Sequence, residues 1–241
     1  MKNSISKIIT VLFIATIFTS CSVDVFNRVN GNKNVITETR KTSSKFTGIK
    51  VSTGIDLYIT QGSKNKITVE ADENLHDIII TEVEDGILKV YSEKSIWRAK
   101  ARKVHVTVKN LTSVRATSGS DVYGKGVINT DEISIAATSG ADIKITVDAT
   151  SVETSSTSGS DIRISGSSIN HATSATSGAS IDAYELESKN VIAKATSGAD
   201  INVFASEKLE AKATSGGDID FKGNPKSVNK KSSSGGSVSR K

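Results

Sequence analysis

The chain has 241 residues with one Pro, one Cys and 5% aromatic residues, and its formal charge is +5 at pH 7. A single Cys excludes a disulfide scaffold, and so few rings exclude a large aromatic core. The charge is mild and the aromatics are scattered, which argues against the basic patch with stacking rings that nucleic-acid binding requires.

Residues 1–20 read as a secretory signal. Lys2 and Lys7 give a positive start, Ile8 to Phe18 form an apolar run too short to span a bilayer, and small Thr19 and Ser20 precede Cys21. The arrangement resembles a bacterial lipoprotein signal, with Phe18 where such signals usually carry Leu. The resemblance implies that Cys21 becomes the lipidated first residue, so the membrane partner is met through a lipid anchor and not a spanning helix. Ser22 after the Cys resembles lipoproteins sorted to an outer membrane, on its periplasmic or its outer face. Residues 21–44 are polar and without period, and are expected to form a flexible tether.

A domain is expected over 45–241, with 45–115 as irregular first coils or a cap. Val51, Ile55, Leu57 and Ile59 suggest an extended region broken near Gly54, and Ile67 to Val69 returns from a turn. Ala71 to Asp77 suggests one helical turn. Asp85-Gly86 between Ile78–Glu84 and Ile87–Tyr91 is a hairpin signal. Val104, Val106 and Val108 alternate as a further strand.

From 116 to 241 one phrase recurs: Thr-Ser-Gly, a small residue, then Asp. Its glycines are Gly119, Gly140, Gly159, Gly178, Gly198, Gly216 and Gly235, spaced by 21, 19, 19, 20, 18 and 19 residues. Before several of these glycines apolar residues alternate, as in Ile133, Ile135 and Ala137, in Val191, Ala193 and Ala195, and in Leu209, Ala211 and Ala213. After it they alternate again, as in Ile143 and Ile145. Period two on both flanks means strand, glycine turn, strand, with one face buried. A unit of this length lacks the helix of a leucine-rich repeat and is too short for a propeller blade. The fold class is therefore all-β, a single-stranded parallel β-helix (β-solenoid) of about 19-residue coils. Equivalent residues then stack at roughly 4.8 Å. Asp121, Asp142, Asp161, Asp200 and Asp218 become a column interrupted by Ser180, and their repulsion must be offset by backbone N–H bonds or by cations.

Several motifs also resemble a known family, that of the auto-transporter adhesin head GIN domain, common in secreted and surface proteins of Bacteroidetes. The resemblance is carried by Phe46-x-x-Ile49-x-Val51-x-x-Gly54-Ile55-Asp56-Leu57-x-Ile59-x-Gln61-Gly62, by Val69-x-Ala71-Asp72-x-x-Leu75, by Asp85-Gly86-x-Leu88, by the Ser-Gly-x-Asp repeats, and by Gly223-Asn224-Pro225 with Ser234-Gly235-Gly236. It implies a β-helical, adhesive domain and brings no catalytic residues.

The residues themselves offer little chemistry. His76, His105 and His171 have no metal-binding spacing, and His171 falls in the inward register between Val152 and Val191. No Gly-x-Ser-x-Gly elbow with partners occurs, and a Ser repeated in every coil is structural, since a nucleophile is needed once. No cofactor is expected. The turn offers few oxygens for a calcium ion that takes six to eight, so the aspartate column is a weak cation candidate. Lys144 and Arg163 are outward in a column shared with Asn202 and Asp220. The expectation is a non-catalytic adhesion or interaction module that meets glycan or protein at the cell surface, and nucleic acid is not among its partners. The alternatives are a polysaccharide lyase-like enzyme and a structural subunit that forms homo-oligomers.

Overall fold

Each repeat turns at the same place because two consecutive residues adopt the left-handed conformation. In the computed structural model, which describes residues 28–42 and 45–241, the seven turn serines have φ between 51 and 58° and the glycines after them φ between 67 and 79°. A Cβ on Gly140 would meet nothing within 4 Å, so glycine is needed there for its φ and not for space. The turn's polar groups are paired between coils. The Gly140 N–H donates to the Ser158 carbonyl at 3.2 Å, and the Asp142 N–H donates to the Ser120 carbonyl at 3.1 Å. Neighbouring turns repeat both bonds, which leaves few orphan backbone groups at the corner.

In chain order the strands are β1 (Arg28–Asn30), β2 (Val35–Arg40), β3 (Gly48–Val51), β4 (Asp56–Gln61), β5 (Lys66–Asp72), β6 (Ile79–Glu84), β7 (Ile87–Ser92), β8 (Ser95–Arg98), β9 (Arg102–Val108) and β10 (Ser113–Ala116). Then come β11 (Asp121–Thr138), β12 (Asp142–Thr157), β13 (Asp161–Thr176), β14 (Ser180–Thr196), β15 (Asp200–Thr214), β16 (Asp218–Lys222), β17 (Ser227–Ser233) and β18 (Ser237–Arg240). Strands β11 to β15 each run from one turn to the next and stack in parallel, coil on coil. The expected solenoid is the observed one.

An eighth turn lies upstream. Ser52-Thr53-Gly54-Ile55-Asp56 has Thr53 at φ 60° and Gly54 at φ 71°, and the Gly54 N–H donates to the Ser118 carbonyl. Strands β3 and β4 are therefore a first coil, stacked against β10 and β11. Residues 62–112 are an insertion between the first and second coils. The insertion closes that end with antiparallel pairs, β5 with β9 and β6 with β7. The Asp85-Gly86 hairpin forms as expected, with both residues left-handed. The helical turn near Ala71 is a short 3-10 segment, Glu73–Leu75.

The tether expectation is corrected over its described part. Strand β2 pairs antiparallel with β5, and β1 pairs in parallel with β8. These short polar strands hold by backbone bonds to distant partners, which explains their lack of an apolar period. The signal segment and Cys21 lie outside the described residues.

Inside the stack the core is thin. Apolar columns such as Leu57, Val122, Ile143, Ile162, Ile181, Ile201 and Ile219 are buried. Polar residues share the interior, including Thr154, Ser156, Ser160, His171 and Thr173. At the far end Lys230 occupies the inward column below Ala211, and its Nζ sits 4.6 Å over the Phe221 ring. An inward charge on an edge strand discourages further strand addition.

Candidate functional site

Two outward columns follow each turn on the same sheet face. Two residues after the glycine stand Asp56, Asp121, Asp142, Asp161, Ser180, Asp200, Asp218 and Ser237, in one continuous register. The expected aspartate column thus exists, lengthened by Asp56. Its side chains do not bond the N–H groups of their own turns. The Asp161 N–H goes to the Ala141 carbonyl at 3.1 Å, and at the far end Ser237 Oγ donates to Asp218 Oδ1 at 2.7 Å. Burial raises the carboxyl pKa of Asp56, Asp121 and Asp142. Like charge adds to this for the latter two, from Asp56 on Asp121 and from Asp161 and Asp121 on Asp142. Arg102 acts against the rise at Asp56 and Asp121, and Arg163 at Asp142. Among the described residues no group of three or more His, Cys, Asp or Glu side chains is placed to hold a metal ion. A cation here would have to bridge carboxylates of successive coils.

Four residues after the glycine the second column reads Tyr58, Tyr123, Lys144, Arg163, Asp182, Asn202 and Asp220, with His105 before Tyr58. The first three rings stack: His105 on Tyr58 at 5.0 Å and Tyr58 on Tyr123 at 5.2 Å, tilted by 16° and 22°. Lys125 lies over Tyr58 at 4.9 Å. Glu70 bonds His105 at 3.0 Å and Lys103 at 3.3 Å, and the His105 bond leads in holding the Glu70 carboxyl below its ordinary value.

The uneven repeat spacing has a structural meaning. The 21-residue step after Gly119 contains a register shift between Tyr123 and Val127, where Gly124-Lys125-Gly126 bulges outward. The 20-residue step after Gly178 contains another, between Ala183 and Glu187. The two 19-residue coils between them have no extra residue, so they lie lower. The result is a groove of about 470 Å³, with Lys144, Thr146, Arg163 and Ser165 on its floor, Tyr123 and Lys125 on one wall, and Asp182 and Glu185 on the other. Thr146 and Ser165 share a hydroxyl bond of 2.8 Å across the floor. Ring, hydroxyl, carboxylate and cation thus converge on a shallow, solvated trough, a composition suited to hydrogen-bonding a polar polymer strand.

Sequence reasoning placed Lys144 and Arg163 outward in one column but saw no cluster. The signal it missed was the pair of long spacings. It also passed over Thr53-Gly54-Ile55-Asp56 as a turn copy, and with it the stacking of Tyr58 on Tyr123. His171 is where the register put it: 2% exposed, between Val152 and Val191, with Nε2 3.0 Å from Thr154 Oγ1 and no partner on Nδ1. It belongs to the core and not to the groove. The repeat glycines form the turn column beside the groove and supply no side chains to it.

The family model described as "Putative auto-transporter adhesin, head GIN domain" matches residues 45–225. The chain belongs to that family. A crystal structure from Bacteroides fragilis described as a putative adhesin superposes on this GIN-domain chain with a TM-score of 0.82 at 22% identity, covering 88% of this chain and 100% of that one. One from Parabacteroides merdae, also described as a putative adhesin, gives 0.71 at 22% identity over 89% and 99% of the two chains. A third, from Parabacteroides distasonis, is described as a putative lipid binding protein and gives 0.72 at 21% identity over 89% and 99%. At these identities the likeness is one of fold. Among curated proteins, none matches the chain.

Proposed function

We propose that this GIN-domain chain is a non-catalytic attachment module of the cell envelope, held by a lipid on Cys21, whose outward face binds a glycan or protein polymer. The family description, and the adhesin descriptions of its structural neighbours, support a surface or envelope role. The observation that carries the reading is that polar side chains recur coil after coil on one rigid face instead of converging once on a reacting centre. Many weak, equivalent contacts then sum by avidity. The groove between the two bulges is where such contacts are densest.

The test is a glycan and extracellular-protein binding array with the purified protein, with and without calcium. Binding is expected to survive any single substitution in the aspartate column and to weaken severalfold when Tyr123, Lys144 and Arg163 are replaced together. Product release from a polysaccharide panel that one point mutation abolishes would establish the enzymatic alternative instead. Binding and melting that both depend on calcium would assign the aspartate column to a cation.

A further inference from the structure

The sheet face that leads into the turns has an outward column of its own, four residues before each glycine. Through the strand register it reads Lys89, Lys50, Arg115, Ala136, Ser155, Ser174, Lys194, Lys212 and Lys231. Among the described residues Lys89 alone of these cations has a carboxylate within 4.0 Å, that of Glu84. Lys50, Arg115, Lys194, Lys212 and Lys231 are exposed and without an ion pair.

Coil by coil, this basic column complements the aspartate ladder beyond the turn. The coils with Lys50, Arg115, Lys194 and Lys212 carry Asp56, Asp121, Asp200 and Asp218. The coils where that position is small, Ala136 and Ser155, carry Asp142 and Asp161, and these have Lys144 and Arg163 two residues further on. The coil with Ser174 has Ser180 in the ladder. In the basic column itself three coils depart: Ala136 and Ser155 against Asp142 and Asp161, and Lys231 against Ser237. Yet the turn separates the two columns, and none of these cations forms an ion pair with the Asp of its own coil.

We propose that the basic column of one molecule docks on the aspartate ladder of a second copy, with the rods side by side, parallel and in coil register. Both columns share the strand spacing, roughly 4.8 Å, so one match along the rod implies the next. The in-step register makes the most pairs: Lys50, Arg115, Lys194 and Lys212 meet Asp56, Asp121, Asp200 and Asp218, while Ser174 meets Ser180. A slip of one coil in either direction keeps three such pairs against these four, and one such slip sets Asp200 against Ser174 and Lys212 against Ser237. The two faces differ, so the contact does not close into a two-fold dimer and extends into a row of rods, open or closed on itself as a ring. Each exposed pair contributes little alone and is screened by salt, so the row depends on several pairs acting together. The proposal is independent of what the groove binds.

The purified protein is expected to scatter as assemblies well above monomer mass at about 20 mM salt and to return to monomer at about 500 mM, where screening is short-ranged. Lys194→Glu with Lys212→Glu, and separately Asp200→Lys with Asp218→Lys, should each weaken association at least severalfold while keeping the parent melting temperature. An equimolar mixture of the two variants should regain it, because each reversed face meets its complement. A milder pair, Lys194→Gln with Lys212→Gln, should weaken association, and mixed with the aspartate variant it should regain only the one native contact and stop at dimers, which separates charge matching from damage to the fold. A protein that stays monomeric at low salt and high concentration overturns the proposal. So does a mixture of folded variants that fails to recover mass. Salt-independent mass, together with capture on dextran sulfate that the lysine substitutions abolish, also overturns it and makes the basic face a polyanion site.

Discussion

The inserted cap and the repeat stack solve the same problem, closing a β core against water, by different means. The cap buries large aliphatic residues, among them Ile67, Val69, Leu75, Leu88, Val104 and Val106, and anchors them with one-off polar contacts between distant segments. Its buried Asp72 accepts backbone N–H bonds from Lys33, Lys100 and Ala101, segments 28 to 39 residues away in sequence. The stack buries smaller residues, such as Ala137, Ala175 and Ala195, and many hydroxyls. Its polar contacts repeat between neighbouring coils, as in Thr154 to Thr173 at 2.8 Å. Stability in the stack is thus spread over near-equivalent units, whereas in the cap it is concentrated in a few unique groups.

The comparison is tested most severely at Asp72. Its replacement by Ala takes the acceptor from one buried and two partly buried N–H groups, and the expected loss is about 3 kcal/mol, read from urea unfolding. Amide exchange should accelerate first at Lys33, Lys100 and Ala101. A loss below about 1 kcal/mol would mean that the cap, too, spreads its stability. Burial alone would raise the Asp72 carboxyl, but the N–H bonds from Lys100, Lys33 and Ala101 outweigh it and hold the group below its ordinary value. A depressed acid stabilises the fold above the ordinary carboxylate pKa and loses that contribution as pH falls through its folded value. The cap's own acid sensitivity therefore belongs below about pH 4.

The stack should lose stability at higher pH than that. Desolvation lowers the His171 pKa from 6.5 to about 4, so the unfolded chain takes up the proton first. As pH falls from 6.5 to about 4, the fold should lose about 3 kcal/mol through this one group. His171→Val matches the neighbours Val152 and Val191 and removes the unpartnered Nδ1, while Thr154 keeps its bond to Thr173. It is expected to flatten the pH dependence of the melting temperature across that interval and to add up to about 1 kcal/mol at pH 7. An unchanged pH slope would remove His171 as the cause.

The regular stack was legible because its physics is periodic. Asp142, Asp161 and Asp200 share a register that counting nineteen residues already locates, and His171 falls inward by the same count. What was hidden was aperiodic. The turn at Ser52–Asp56 escaped notice because Thr53 replaces the usual Ser and because the 51 residues of the insertion, 62–112, separate its coil from the next. Strands β1 and β2 escaped because backbone pairing with remote β8 and β5 leaves no mark on short polar segments. The groove is a register event. Its walls are extra residues at Lys125 and Glu185, and only the spacings of 21 and 20 betrayed them. Stacking of Tyr58 on Tyr123 follows once the first turn is counted, and not before.

The smallest effects lie in the turn that the stack repeats, and they ask what it costs to repeat it. Gly140→Ala meets no atom but holds a Cβ at φ 68°, so a loss of about 1–2 kcal/mol is expected from conformation alone. Ser139, at φ 56°, already bears such a strain, offset only by a long 3.4 Å contact to Thr138 Oγ1. Ser139→Gly relieves that strain while loosening the unfolded chain, so a gain of up to about 1 kcal/mol is expected by thermal melting. Seven coils carry this strained, exposed serine where a glycine would be easier, and strain is retained where it serves a use. If Ser139→Gly stabilises the fold and also weakens polymer binding, the serine column is part of the attachment face. If binding is untouched, that face is confined to the groove and its two flanking columns.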